Sequence, residues 1–360
     1  KIIMNTYIKF RTTTFLKSFF YVFLIILSLV FILNVLSEIE FFRDIEIKPI
    51  FPIYISFLNS PSLIFEMFPF IFLISTQVFF ITLFNDNQIE IFKYSGLKNS
   101  KILNIISLFS FFLGIFIITI FYNISSNLKN IYLELKNKYS ADDKYLAVIT
   151  QNGLWIKDKI NKNITIVNAS KIDDVFLIDT IISQFDENFN IKRNIQSNKI
   201  DIKNKEWIAY NVTIYEGNTT IEKPELKILS NFDYQKIQSL FSELSSLSLF
   251  ELFGLRENYK SLNYSTTEVD LQLLKVLSYP IYLTLMTILS SMIMFRVKRF
   301  KSSTFKISVG LFISVMIYYI NNFFNVMGKT EKIPVIFSVW GPIIFLIIVN
   351  FIYTIKINEK

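Results

Sequence analysis

At 360 residues, with 52% hydrophobic and 17% aromatic content, the chain is too apolar for a soluble protein of its length, and several windows exceed the roughly 18 consecutive apolar residues that mark a membrane helix. It contains 0 His and 0 Cys, which excludes thiolate or imidazole metal sites, Ser-His-Asp triads and disulfides. The net charge of +8 matters through its position along the chain, and enrichment in Lys, Asn, Ile and Phe makes motifs built from those residues uninformative. The Asn-x-Ser/Thr tripeptides at Asn163, Asn168, Asn211, Asn218 and Asn263 fall in that category.

The chain opens on a basic stretch with Lys1, Lys9, Arg11 and Lys17, followed by a first apolar run at 19–36. That run is too long for the h-region of a cleaved signal peptide, and no Ala before Ala141 supplies a cleavage site. The loop at 37–50 carries Glu38, Glu40, Asp44 and Glu46 against Arg43 and Lys48. A second run covers 62–84, with Glu66 set between Pro61 and Phe68-Pro69. Next comes NDNQIEIFKYSGLKNSK at 85–101, a charged segment that also holds Ile89, Ile91, Phe92, Tyr94 and Leu97. On a helix Ile89, Phe92 and Lys93 share one face, Gln88 and Lys98 stand at its edges, and Gly96 suits a C-cap. Two readings of this segment stand: an interfacial helix on lipid headgroups, or a short helix docked in a groove of a cytoplasmic partner.

The third run is 102–122, continued by the helical stretch NIYLELKNKYS. The period then becomes two. ITIVNAS, NIKRNIQ, KIDIKN, EWIAYNVTIYEG and ELKIL alternate apolar with polar residues, the pattern of half-buried antiparallel strands. Short helices are predicted from about 235 to 268. Runs at 271–294, 307–326 and 333–354 complete six spans, each about 20 residues and long enough to cross about 30 Å of hydrocarbon.

Within these runs the polar residues are the candidate ligand contacts. Glu66 and Lys275, the latter five residues before Pro280, stand near the outer ends of their spans, where snorkelling to the interface competes with a functional role, and Asn321 and Asn322 interrupt the fifth run, where helix packing competes with contact to a ligand headgroup. Gly328-Lys329-Thr330 resembles the end of a phosphate loop, but the position five residues before Gly328 is Phe323, so it reads as a turn. Catalytic residues, metal sites and cofactors are not expected, and energy for any transport must come from a partner.

Lys93, Lys98 and Lys101 in one short loop, and Arg296, Lys298, Arg299, Lys301 and Lys306 in another, set the orientation by the positive-inside rule. Both termini are then cytoplasmic and the strand-rich segment lies outside. The predicted organisation is helices one to three at 1–124, a β domain at 125–270, and helices four to six at 271–360. The class is membrane α-helical plus β.

Several short stretches, in this order and spacing, carry a resemblance along nearly the whole chain. They are NTYIKFRTTTFLKSF, PSLIFEMFP at 61–69, FKYSGLKNSKIL, NGLWIKDKINKNITIVNASKI, LKVLSYPIYLTL and KIPVIFSVWGPIIF. Together they resemble the LptF/LptG family of lipopolysaccharide-export permeases, and Gly153-Leu154-Trp155-Ile156-Lys157-Asp158 is more similar to the LptG type than to the LptF type. The resemblance implies an inner-membrane permease subunit of an ABC-type transporter. Its partners would be a cytoplasmic ATPase dimer, a second six-span permease, a periplasmic bridge component and lipopolysaccharide, with no nucleic acid. It also implies that 85–101 is the coupling helix, with Gln88, Glu90, Phe92, Lys93 and Gly96 facing the ATPase. The inserted domain would be a periplasmic jelly-roll with an open edge for strand addition, and lipid would enter between the first and fifth spans.

The chain departs from the family pattern in two places. Gln88 stands where a Glu is usual, with Glu90 nearby, and Arg43 is the one base in NVLSEIEFFRD, where Lys residues suited to phosphates are usual. Arg43, Glu66, Lys275, Asn321 and Asn322 are the candidate lipid contacts. An LptF-type subunit, a paralogue exporting another lipid, and a membrane-anchored sensor with a ligand-binding β domain are the competing functions.

Overall fold

The computed structural model describes residues 2–94, 99–137, 139, 154–160, 163–173, 175–186, 189–217, 219–234, 237, 243–261, 265–296 and 302–357. The chain divides into a helical unit, Lys1–Tyr132, Ser248–Leu252 and Thr267–Lys360, and a second unit, Leu133–Leu247 and Phe253–Thr266.

The helices are α1 (Ile2–Phe41), α2 (Phe51–Asn85), α3 (Gln88–Tyr94), α4 (Asn99–Phe116), α5 (Tyr122–Asn137), α6 (Leu249–Ser261), α7 (Thr267–Arg296), α8 (Ser303–Lys329) and α9 (Val335–Ile357). A π turn, Ile117–Phe121, joins α4 to α5 without a break. Among the described residues six helical stretches are long and apolar enough to cross a membrane: Ile8–Phe41, Phe51–Asn85, Asn99–Lys136, Thr267–Phe295, Ser303–Lys329 and Val335–Ile352.

The second of these starts well before the span predicted at 62–84. Pro61 marks a boundary by propensity, yet it lies inside α2, as does Pro69. Membrane helices accept Pro where neighbouring side chains serve the freed carbonyl. In the turns before Pro61, Ser60 Oγ donates to Ser56 O at 2.6 Å and Ser56 Oγ to Pro52 O at 2.7 Å, local bonds next to, and not at, the Phe57 carbonyl that Pro61 leaves without its helical donor.

α2 and α7 form the middle of the helical unit. In their most apolar windows 61% and 72% of residues are buried, against 22% in α1 and 17% in α8. Apolar side chains gain little from meeting each other rather than lipid tails, so specificity comes from close backbone approach and hydrogen bonds between helices. Gly114 permits the approach of α4 to α7, because a Cβ there would sit 2.8 Å from Pro280 Cα. Gln77 Nε2 reaches from α2 to the Lys306 carbonyl of α8 at 2.8 Å, and a Cβ at Gly310 would collide with that amide. Ser290 Oγ donates to Leu73 O (2.7 Å), Asn350 Nδ2 to Leu285 O (3.1 Å), and Asn34 Nδ2 to Ser56 O (3.0 Å). The π turn widens the helix so that consecutive rings both meet α2: Phe121 lies 5.1 Å from Phe68 and Tyr122 4.9 Å from Phe65, centroid to centroid.

The second unit holds one six-stranded antiparallel sheet in sequential order. Its strands are β1 (Leu154–Ile160), β2 (Asn163–Asp173), β3 (Phe176–Phe185), β4 (Ile191–Asp201), β5 (Glu206–Glu216) and β6 (Thr219–Leu229). It is inserted between the third and fourth membrane-spanning helices, as the sequence leads one to expect.

A crease crosses the sheet. The flanking registers set Ser170 opposite Asp179, Asp179 opposite Asn198, Asn198 opposite Asn211, and Asn211 opposite Pro224. Asp179 and Asn211 have φ of +47° and +49°, a region that Asn and Asp enter more readily than other side chains. Buried residues stand three apart across it, Leu177 and Thr180, Ser197 and Ile200, Ala209 and Val212, where a regular strand would place them two apart. β3, β4 and β5 therefore change face at the crease.

Candidate functional site

Two helices of the unit each carry a stripe of polar residues at spacings of three, four and seven. On α7 these are Lys275, Ser278, Tyr279 and Tyr282, and on α8 they are Tyr318, Asn321, Asn322 and Asn325. Such spacing places every member on one helix face. Both stripes turn toward a cavity of about 250 Å³, closed by Glu66 and Pro69 of α2 and by Ser338 and Ile343 of α9.

Local chemistry explains the wall. Pro69 has no N–H, so the Phe65 carbonyl one turn earlier loses its helical donor. The Tyr279 hydroxyl donates to that carbonyl, and the Tyr279 ring stacks on Phe65 at 4.6 Å. Tyr282 lies beside it, 6.5 Å between ring centroids, with its hydroxyl facing the Asn321 side chain. Phe70 meets Tyr318 at 5.9 Å. Glu66, Lys275 and Asn322 are exposed within the opening, and among the described residues neither Glu66 nor Lys275 forms an ion pair. The cavity thus offers both signs of charge with amide and phenol groups around them, an arrangement suited to binding.

Four of the five sequence-derived lipid contacts, Glu66, Lys275, Asn321 and Asn322, are brought together here. Arg43 is not among the lining residues; it sits exposed in the turn after α1, where its N–H donates to Glu40 O at 3.3 Å. Sequence reasoning missed Ser278, Tyr279, Tyr282, Tyr318 and Asn325. The repeated spacing on α7 and α8 was the available signal.

At the other candidate site, Asn87 takes φ of +54° and turns the chain from α2 into α3. Gln88 Nε2 donates to Asp86 Oδ2 at 3.2 Å. Ile89 is buried in a cluster with Phe15, Phe79, Phe80, Leu83, Ile102, Ile106 and Met294, so it anchors α3 to the bundle. Ile91 and Tyr94 point outward, Tyr94 with 90% of its surface exposed. Glu90, Phe92 and Lys93 lie on α3 with side chains outside the described residues, as does Gly96 entirely. The fragment Gly328-Lys329-Thr330 is the end of α8: Thr330 N–H bonds to Val326 O at 3.0 Å, and Lys329 pairs with Glu268 at 3.6 Å.

In the β unit, Asp158 explains one residue of the Gly-Leu-Trp-x-Lys-Asp stretch. Its buried carboxylate accepts from Ser230 Oγ (2.8 Å), Asn231 N (2.9 Å) and Asn231 Nδ2 (2.8 Å), tying β1 to the chain just beyond β6. Trp207 is fully buried with its indole N–H on Phe232 O at 2.8 Å.

A family model described as lipopolysaccharide export system permease LptF/LptG matches residues 10–356 of the chain. A search of curated proteins finds no match.

Proposed function

The chain belongs to the lipopolysaccharide export system permease family LptF/LptG, and we propose that it is the LptG-type subunit of an inner-membrane ABC-type transporter that extracts lipopolysaccharide and passes it to a periplasmic bridge. The observation that carries this reading is the uneven burial of the helices. α1 and α8, the first and fifth spans, leave most of their apolar surface uncovered, including Leu29, Leu33, Phe312 and Met316. Two such faces suit a lateral entrance for acyl chains formed with a second six-span permease. Extraction needs an external energy source, because exposing acyl chains to water costs about 0.8 kcal/mol per CH₂.

In this scheme both termini and α3 are cytoplasmic and the sheet is periplasmic. Gln88, Glu90, Phe92, Lys93 and Gly96 belong to the coupling segment, and the outward Ile91 and Tyr94 add an apolar contact for the groove of an ATPase dimer. The edge strand β6, exposed from Thr219 to Glu225, suits strand addition to a bridge component.

The test is affinity purification of the tagged, gently solubilised protein with mass spectrometry of what stays attached. A P-loop ATPase and a second six-span permease are expected, and Tyr94→Asp should lose the ATPase while keeping the permease. Recovery of neither from folded protein would count against a transporter and favour the sensor.

A further inference from the structure

We propose that the cavity between α2, α7, α8 and α9 is a headgroup site for a zwitterionic lipid, one whose polar end carries an ammonium group as well as a phosphate. The inference deepens the permease reading and rests on it for the ligand being a lipid. Glu66 and Lys275 open into one cavity from different helices, and among the described residues neither is in an ion pair. Both are exposed at the opening of a cavity within membrane-spanning helices, where a charge gains from a compensating partner. A purely anionic headgroup would compensate Lys275 and be repelled by Glu66, and a purely cationic one would do the reverse. A headgroup bearing both charges compensates both.

The neutral lining fits the same division. Tyr282 and Tyr318 place aromatic rings in the lining, the kind of group that receives an ammonium ion. Asn321 and Asn322 offer amide N–H donors to phosphate oxygens beside Lys275. At about 250 Å³ the cavity is smaller than the roughly 300–1,000 Å³ of pockets that bury a drug-sized ligand. That suits a headgroup whose acyl chains lie outside, along the exposed Tyr319 and Phe323 of α8.

The test uses the purified full chain in detergent and native mass spectrometry of retained lipid. Phosphatidylethanolamine and phosphatidylglycerol with identical acyl chains are supplied at equal concentration. The first should be retained about tenfold more, the scale of one charge-assisted hydrogen bond. Glu66→Gln should abolish that preference, Lys275→Gln should weaken retention of both lipids, and Asn322→Ala should do so more mildly. Thermal unfolding of each variant identifies any loss that is only misfolding, and Asn322→Ala, uncharged before and after, serves if a charge variant fails to fold. Equal retention of the two lipids by the parent protein, or an unchanged preference in Glu66→Gln, overturns the proposal: the two charges would then serve each other. Retention of soluble glycerophosphoethanolamine as tight as that of the diacyl lipid would overturn the lipid part of it. ATPase recovery from the same preparations separates the readings. Preference without ATPase sinks the transporter alone, and ATPase without preference sinks the headgroup site alone.

Discussion

Pro69 removes one N–H from the middle of α2, and Tyr279 supplies the missing donor from another helix. Tyr279→Phe should therefore destabilise the helical unit by about 1–3 kcal/mol, the usual cost of leaving a buried acceptor without its partner. In a Pro69→Ala background the restored N–H of residue 69 can serve the Phe65 carbonyl, so the same change should cost clearly less. A double-mutant cycle on unfolding in detergent measures the difference. Equal costs in both backgrounds would mean that the hydroxyl and the proline are unrelated. The residue scale also shows why the site was only partly readable from sequence. Glu66, Lys275, Asn321 and Asn322 stand out because charge and amide are rare in apolar runs. Tyr279, Tyr282 and Tyr318 do not, because a tyrosine is at home near a membrane surface whether or not it lines a cavity. Arg43, the one base in its loop, is exposed in the turn after α1 and is not among the cavity's lining residues.

Among the elements, the sheet rests on a few polar ties whose loss should be local. Asp158→Ala removes the acceptor of three hydrogen bonds that hold β1 to the residues after β6. Hydrogen exchange on the full chain should quicken in β1 and around Ser230–Phe232, while β3 and β4, paired on both sides, keep their protection. Uniform quickening across the sheet would show that Asp158 supports the whole unit. Strand prediction from alternation found β2, β5 and the end of β6, but divided β4 into NIKRNIQ and KIDIKN. The crease is the reason: β4 switches face between Ser197 and Ile200, so its alternation slips by one residue. β3 escaped because FLIDTIISQF carries apolar residues on both sides of its own switch at Asp179. The spacing on α3 puts Ile89 on one face with Phe92 and Lys93 but does not say what that face meets. The burial of Ile89 against Phe79 and Phe80 could not be read from α3, since the cluster is assembled from α1, α2, α4 and α7.

For the whole molecule, the count and order of spans were plain in the sequence because about 20 apolar residues leave few alternatives. Which helices lie inside the bundle was not, since all six are mostly apolar and burial depends on neighbours. The uncovered faces of α1 and α8 lead to a prediction that the chain makes easy to test, because it holds 0 Cys and any introduced thiol is unique. Leu29→Cys and Met316→Cys, labelled with a maleimide benzophenone and irradiated in native membranes, should cross-link to a second six-span protein. Val276→Cys, fully buried in α7, should not. Capture only of lipid by both exposed sites would mean that these faces border the bilayer and that the partner lies elsewhere.

The π turn at Ile117–Phe121 gives one long helix two phases. Upstream, Ile102, Ile106, Ser110 and Gly114 repeat every four residues; downstream, Tyr122 and Ser126 resume the repeat only because Tyr122 N–H bonds back to Ile117 O, five residues earlier. Deleting one residue, for instance Thr119, would remove the extra residue that the π turn accommodates and leave an unbroken α-helix, with everything after it in nearly the same phase. Tyr122 would keep its place against Phe65 and the buried serines would stay inward, whereas tightening the π turn to an α turn with no residue removed would rotate them by about 100°. Within these five positions the chain should therefore accept the loss of one residue far better than in the regular helix on either side, much as a sentence survives the removal of a repeated word.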